Sequence, residues 1–177
     1  MNFKYTFSKQ TTLRINYRGR TTQPSMTDLY SKNDISDPLN IRLTNPNLKP
    51  SFNNNISATF NTYFTETLRS FNANFSYSNT INSTTRIVTY DENTGGRTTQ
   101  PTNVNGNWRI NGSFTFSTPL SNKKFTVNTY TNANYGNSVG FTVLNKESDA
   151  VKSNTTNLFL SERLKGNYRS DLIDCEL

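Results

Sequence analysis

Over long stretches of this chain every second residue is apolar, and the residues between are amides and hydroxyls. From 51 to 64 the even positions hold Phe52, Ile56, Ala58, Phe60 and Phe64, against Ser51, Asn53, Asn55, Ser57, Thr59 and Asn61. Phe71, Ala73, Phe75, Tyr77 and Ile81 repeat the rhythm against Ser70, Asn72, Asn74, Ser76 and Ser78. From 104 to 117, Val104, Trp108, Ile110, Phe114 and Phe116 do so against Asn105, Asn107, Arg109, Asn111, Ser113, Thr115 and Ser117. A period of two belongs to β-strands, whose side chains point alternately to opposite faces. The chain is therefore predicted to be all-β, each strand carrying one greasy and one wet face.

Fainter copies flank these segments at Phe3, Tyr5 and Phe7; at Leu13, Ile15 and Tyr17; at Phe125, Val127, Ala133 and Tyr135; and at Leu158, Leu160, Leu164 and Tyr168. Ile173, Cys175 and Leu177 begin one more, so about seven to eight strands are expected. The connections alternate in length. Tight turns are predicted near Lys9-Gln10, Thr65-Glu66-Thr67, Leu120-Ser121-Asn122-Lys123 and Arg169-Ser170, and longer polar links at about 24–50, 90–103 and 144–154. Short periplasmic turns and long extracellular loops are the arrangement of an antiparallel transmembrane β-barrel.

Composition supports the membrane over water. Only 32% of residues are hydrophobic and the mean hydropathy is −0.74, too little to fill an ordinary globular interior. Yet 12 Phe and 9 Tyr, with abundant Thr, favour strands. A barrel reconciles the two: lipid covers the apolar face, water the polar one, and the strands pair each other's backbone groups. A soluble sandwich would instead draw its core from Val, Ile and Leu. Residues 1–177 thus read as a single partial barrel domain with no plug domain. No run is long enough for a membrane helix. Met1-Asn2-Phe3-Lys4-Tyr5-Thr6 lacks the apolar region of a signal peptide, so the chain reads as a piece of a longer one.

Counting from the turns sets Phe7, Phe64, Phe71, Phe116 and Phe125 near the periplasmic interface, and Tyr77, Trp108 and Tyr135 near the outer one, where amphipathic rings collect. The polar parity carries Arg14, Arg18, Arg20 and Arg109. These are expected to face the lumen, either contacting an anionic solute or pairing with acids nearby. Arg69 falls on the greasy parity at a strand end, where it can snorkel. Glu162 sits mid-strand between Leu160 and Leu164, which calls for a β-bulge or a position above the bilayer.

Enzymatic chemistry finds no foothold. With no His, one Cys, no Ser/His/Asp set and no phosphate-binding loop, neither catalytic residues, metal site nor cofactor is expected. Asp34, Asp37, Asp91 and Glu92 lie in the outer links and read as solvated charges. The net charge of +7 is scattered along the chain, so nucleic acid is not an expected partner.

Asn45-Pro46-Asn47-Leu48-Lys49-Pro50, just before a strand, resembles the NP-x-L-x-P signature of TonB-dependent receptors. Tyr17 to Ser25, Asp37-Pro38-Leu39 and Asn103-Val104-Asn105-Gly106-Asn107-Trp108 are similar to the outer-membrane β-barrel family of Bacteroidota. The resemblance covers most of the chain. It departs at Ser51, where relatives usually carry Glu, which puts a pairing role there in doubt. It implies a bacterial outer-membrane receptor that takes up a nutrient through a barrel of about 22 strands, gated by a plug and energised by TonB. The partners implied are outer-membrane lipid, the remainder of the barrel and its plug, and TonB for the full-length protein. Two other readings are a small complete eight-stranded structural protein or adhesin, and a secreted β-rich binding module. Finally, GRTTQP occurs twice, at Gly19 to Pro24 and Gly96 to Pro101, as equivalent strand rims or by coincidence.

Overall fold

The computed structural model describes residues 1–30, 32–91, 93–120, 124–142, 151–169 and 174–176. In chain order its elements are β1 (Asn2–Ser8), β2 (Thr11–Thr22), α1 (Met26–Leu29), β3 (Asn40–Arg42), β4 (Ser51–Phe64), β5 (Arg69–Ile81), β6 (Ser83–Tyr90), β7 (Arg97–Val104), β8 (Asn107–Pro119), β9 (Phe125–Thr142), β10 (Val151–Arg169) and β11 (Asp174–Glu176). Eight strands form one sheet in the order β1-β2-β4-β5-β8-β9-β10-β11. All its neighbours are antiparallel. Among the described residues β1 and β11 stand at its two edges and do not pair.

The register keeps every apolar parity on the same side. Tyr17, Ile56, Tyr77, Ile110, Tyr135 and Leu158 lie side by side from β2 to β10, and the next row toward the short turns is Ile15, Ala58, Phe75, Gly112, Ala133 and Leu160. In that second row the ring of Phe75 has Ala58 and Gly112 beside it, so bulk alternates with small residues. A slip of one residue in any pair would move a strand's whole apolar set to the wet face. Aromatic packing links neighbouring rows: ring centroids are 5.8 Å apart for Phe60 and Phe71 and 4.9 Å for Phe71 and Phe114.

No second layer covers this face. Among the described residues the buried hydrophobics are Leu48, Val104 and Val139, while Phe75 is 48% and Leu160 66% exposed. The rings are not gathered into a dry interior between two sheets, which is what a soluble sandwich requires.

Two expectations change, and one open alternative is decided. The long links are not simply loops: β6 and β7 form a hairpin, β3 from the 24–50 link joins β7 in parallel, and together they make a second sheet, β3-β7-β6. The link expected at about 90–103 thus shrinks to a turn, in which Asp91 accepts from Gly95 N–H and Gly95 takes φ 68°. The strand expected from 104 to 117 is broken at Asn105-Gly106, so Val104 ends β7 and Trp108 belongs to β8. β1 has 7 residues, fewer than the roughly 9–11 of a membrane strand, and its ladder is irregular at Phe7. The GRTTQP copies are not equivalent: one lies in the wall strand β2, the other in the central strand of the small sheet.

Other expectations fall wholly or partly outside the described residues. They are the turns at 120–123 and 169–170, most of the link at 144–154, and Glu92, Ile173 and Leu177.

Candidate functional site

Opposite the greasy rows run equally unbroken polar ones. Ser57, Ser76, Asn111 and Asn134 are neighbours across β4, β5, β8 and β9. Short amides knit them together, Asn111 donating to Ser76 at 3.1 Å and Asn134 to Asn111 at 2.5 Å. Asn72 bonds Asn61, and Asn74 donates to Asn72 at 2.7 Å. A groove of about 450 Å³ runs along this side, lined by Asn74, Asn111, Asn132 and Asn134 with the ring of Phe159. Residues from β4 to β10 enclose it together, so the sheet curls with its wet face inside.

Arg14, Arg18, Arg20 and Arg109 all fall on that polar parity, opposite Thr59, Asn55, Asn53 and Ser78. Arg18 and Arg109 share a row through Asn55 and Ser78. Three strand steps at roughly 4.8 Å put their Cα atoms on the order of 14 Å apart. All four are exposed. The structure therefore aligns them on one face without gathering them into a cluster. Sequence reasoning overlooked Phe159, an aromatic on the wet parity; its neighbours Leu158 and Leu160 disguised it within an apolar run.

The second feature lies where the wall meets the small sheet. Leu48 N–H bonds Asn45 O at 3.3 Å, closing a β-turn with Pro46 at the position whose φ proline presets. Asn45 Oδ1 accepts Asn47 N–H at 3.0 Å, and Asn45 Nδ2 donates to Pro101 O at 2.9 Å. Leu48, 7% exposed, is one of the few buried apolar side chains described. Asn103 Oδ1 accepts from Lys49 N–H, while its Nδ2 donates to Lys49 O and Asn82 O at 3.0 and 2.9 Å. Asn105 Oδ1 takes Asn82 N–H and Asn107 Oδ1 takes Val139 N–H, both at 2.6 Å. Asn82 has φ 53° and Gly106 φ 118°, positions at which the ladder stops. Asparagine side chains thus replace the backbone bonds that the two breaks remove, as partly buried amides require. The segments 45–50 and 103–107, far apart in the chain, form one junction.

Residues 1–172 match the outer membrane protein beta-barrel family. The chain belongs to that family. No curated protein matches it significantly.

As a member it resides in the bacterial outer membrane, and its uncovered apolar face is the lipid face of a barrel wall. The wall's short connections at 9–10 and 65–68 share one rim with the facing ends of β8 and β9, where Leu120 N–H bonds Phe125 O, and the links 23–50 and 82–106 share the other. That places the small sheet as a cap on the outer rim. On the lipid face Phe64 lies opposite Arg69 beside the short rim, and Phe71 and Phe116 are paired one row in. Phe125 packs on Tyr168 at 4.6 Å, also toward that rim. Tyr77 and Tyr135 occupy one row toward the outer rim, and Trp108, one row beyond, meets Tyr135 at 5.1 Å. Trp108 and Phe116 are about 26 Å apart along β8 at roughly 3.3 Å per residue, comparable to the apolar band of such barrels.

Glu162 is on the lipid face without a bulge. The β9–β10 register is continuous from Val151 to Tyr168, pairing Glu162 with Thr131, whose hydroxyl donates to its carboxylate. Its row runs through Phe114, Ala73 and Phe60.

The acids of the outer links are occupied locally. Asp34 Oδ1 accepts both Ser36 Oγ–H, at 2.6 Å, and Ser36 N–H, at 3.1 Å. Asp37 accepts Asn40 Nδ2 at 2.6 Å and Leu39 N–H at 2.9 Å. The side-chain bonds from Ser36 and Asn40, then the backbone ones, hold both carboxyls below the ordinary carboxylate range. Asp91 Oδ1 accepts Asn93 N–H at 2.9 Å.

Proposed function

We propose that this chain is part of a TonB-dependent-receptor-like barrel that takes up a nutrient across the outer membrane, and that it is not an enzyme. The carrying observation is the wet face. Small closed barrels fill their interior with side chains, whereas here the wet rows carry mainly Ser, Thr and Asn, with Phe159, Tyr130 and a few separate arginines as the bulky residues among them. Such rows suit a wide lumen. The resemblance of Asn45 to Pro50 to the receptor signature supports the same reading, and the junction it forms with Asn103 gives that signature a physical task, anchoring the cap on the rim.

In this reading the partners are outer-membrane lipid, further strands closing the wall, a plug inside it, and TonB acting on the full-length protein. The test is uptake by cells that carry or lack the full-length gene, grown on limiting nutrient sources with and without a protonophore. Loss of growth on a specific nutrient in the deletion strain, copied by the protonophore, is the expected result. Unchanged growth on every source, with the protein acting instead in surface attachment, would favour the small structural barrel.

A further inference from the structure

The cap carries a cavity that the lumen reading does not use. It measures about 500 Å³, within the range of roughly 300–1,000 Å³ typical of small-molecule sites. The two outer links build it jointly: Asp28, Lys32, Asp34 and Arg42 come from 23–50, Arg86 and Arg97 from the β6–β7 hairpin. Neither link could form it alone.

Four cations face two carboxylates, a net charge of +2 by formal count. The carboxylates offset the cations only in part, two against four. Asp34 Oδ1 is occupied by Ser36, and Asp28 Oδ2 accepts from Ser25 Oγ at 2.7 Å as part of the α1 cap. Asp28 Oδ1 reaches Arg86 only at 3.9 Å, with the Arg86 side chain 67% exposed. Arg97 Nε donates to Asn40 at 2.7 Å. With cations in excess, Arg42 and Arg86, one from each link, can share their guanidinium N–H groups between these acids and a ligand's oxygens, with Val88 and Pro101 adding apolar lining. Planar guanidinium forks match carboxylate and phosphate oxygens.

We infer that this cap cavity is a binding site for a small anionic solute that presents carboxylate or phosphate oxygens. Binding there does not depend on uptake.

The test is calorimetric titration of the full-length protein in detergent with citrate, inorganic phosphate and a neutral polyol, glycerol. Expected is saturable binding of citrate or phosphate and none of glycerol, weakening as salt is raised. The better anion identifies the acid type. Arg42→Gln and Arg86→Gln should each weaken binding about ten-fold, the scale of one charge-assisted hydrogen bond, while Arg86→Lys, which keeps the charge and loses the fork, should fall between Gln and the native residue. Limited proteolysis of each variant reports whether the cap still folds. Failure of both anions to bind the native protein, or unchanged affinity in two Gln variants with intact caps, overturns the proposal. An Arg14→Gln/Arg18→Gln variant should bind as the native protein does; if it alone loses binding, the anion site is in the lumen.

Discussion

The side-chain amide of Asn103 forms a closed pair of hydrogen bonds with the backbone of Lys49, accepting its N–H at 2.8 Å and donating to its carbonyl at 3.0 Å. An amide side chain carries the same donor and acceptor as a peptide unit, so this pair imitates one rung of a β-ladder between a residue of β7 and a segment that is not a strand. The same Nδ2 also reaches Asn82 O, tying the end of β5 to the link that enters β4.

Asn103→Ala should therefore loosen the cap rather than the wall. Three bonds are lost, for about 2 kcal/mol in total. Protease cleavage within 24–50 should accelerate while heat-modifiable gel mobility of the barrel persists. Asn103→Asp keeps only the acceptor for Lys49 N–H and should behave nearly as badly.

Gly106→Ala tests the neighbouring break. At φ 118° an added Cβ would stand 2.9 Å from Val139 Cγ2, combining backbone strain with a clash against one of the buried side chains. A loss of about 1–3 kcal/mol is expected, read as a lowered urea midpoint for the protein folded into lipid vesicles. An unchanged midpoint would mean that β7 and β8 can run straight through.

Glu162→Leu should have the opposite sign. An acidic side chain on the lipid face costs stability, less than a basic one at the same depth, and among the described residues Glu162 accepts its hydrogen bond from Thr131. Removing it should stabilise the vesicle-folded barrel by about 1 kcal/mol, measured as a raised urea midpoint. A lowered midpoint would show that Glu162 serves a contact with another membrane component.

Asp34 and Asp37 predict an acid limit for the cap. Their folded carboxyls bind protons less readily than in an unfolded link, so their contribution is complete above the ordinary value of 3.8 and vanishes as pH falls through their lower folded values. Carboxyl NMR titration should give midpoints below 3.8 for both, and Ser36→Ala should raise that of Asp34. A midpoint at or above the ordinary value would disprove the Ser36 bonds.

Much of the wall was readable from residues alone because the greasy face must be continuous in lipid. The alternation of Phe71, Ala73, Phe75 and Tyr77 with Asn and Ser marks both the strand and its lipid side before any pairing is known. Arg14, Arg18, Arg20 and Arg109 could be put on the wet face by the same parity. Their separation across several strands could not, because distance along a sheet depends on which strands pair and in what register.

The cap was not legible in this way. Residues 83–104 are rich in Thr and Asn and face water, so no burial requirement impresses a clear period of two on them. Glu162 shows the limit of inference from a single strand: its exception to the greasy parity left a bulge or a position above the bilayer open, and only the unbroken pairing with β9 ruled out the bulge.

The sequence by itself determined most of the wall strands, their amphipathic faces and the alternation of short and long connections between them, since these follow from local parity and from what each side chain can tolerate in lipid or water. Tertiary structure alone decided that two distant links assemble a second sheet, that Asn103 meets Lys49, and that Arg42 and Arg86 share a cavity. Those juxtapositions depend on strand order and register, which a sequence specifies only through the sum of many weak pair interactions and not at any one residue.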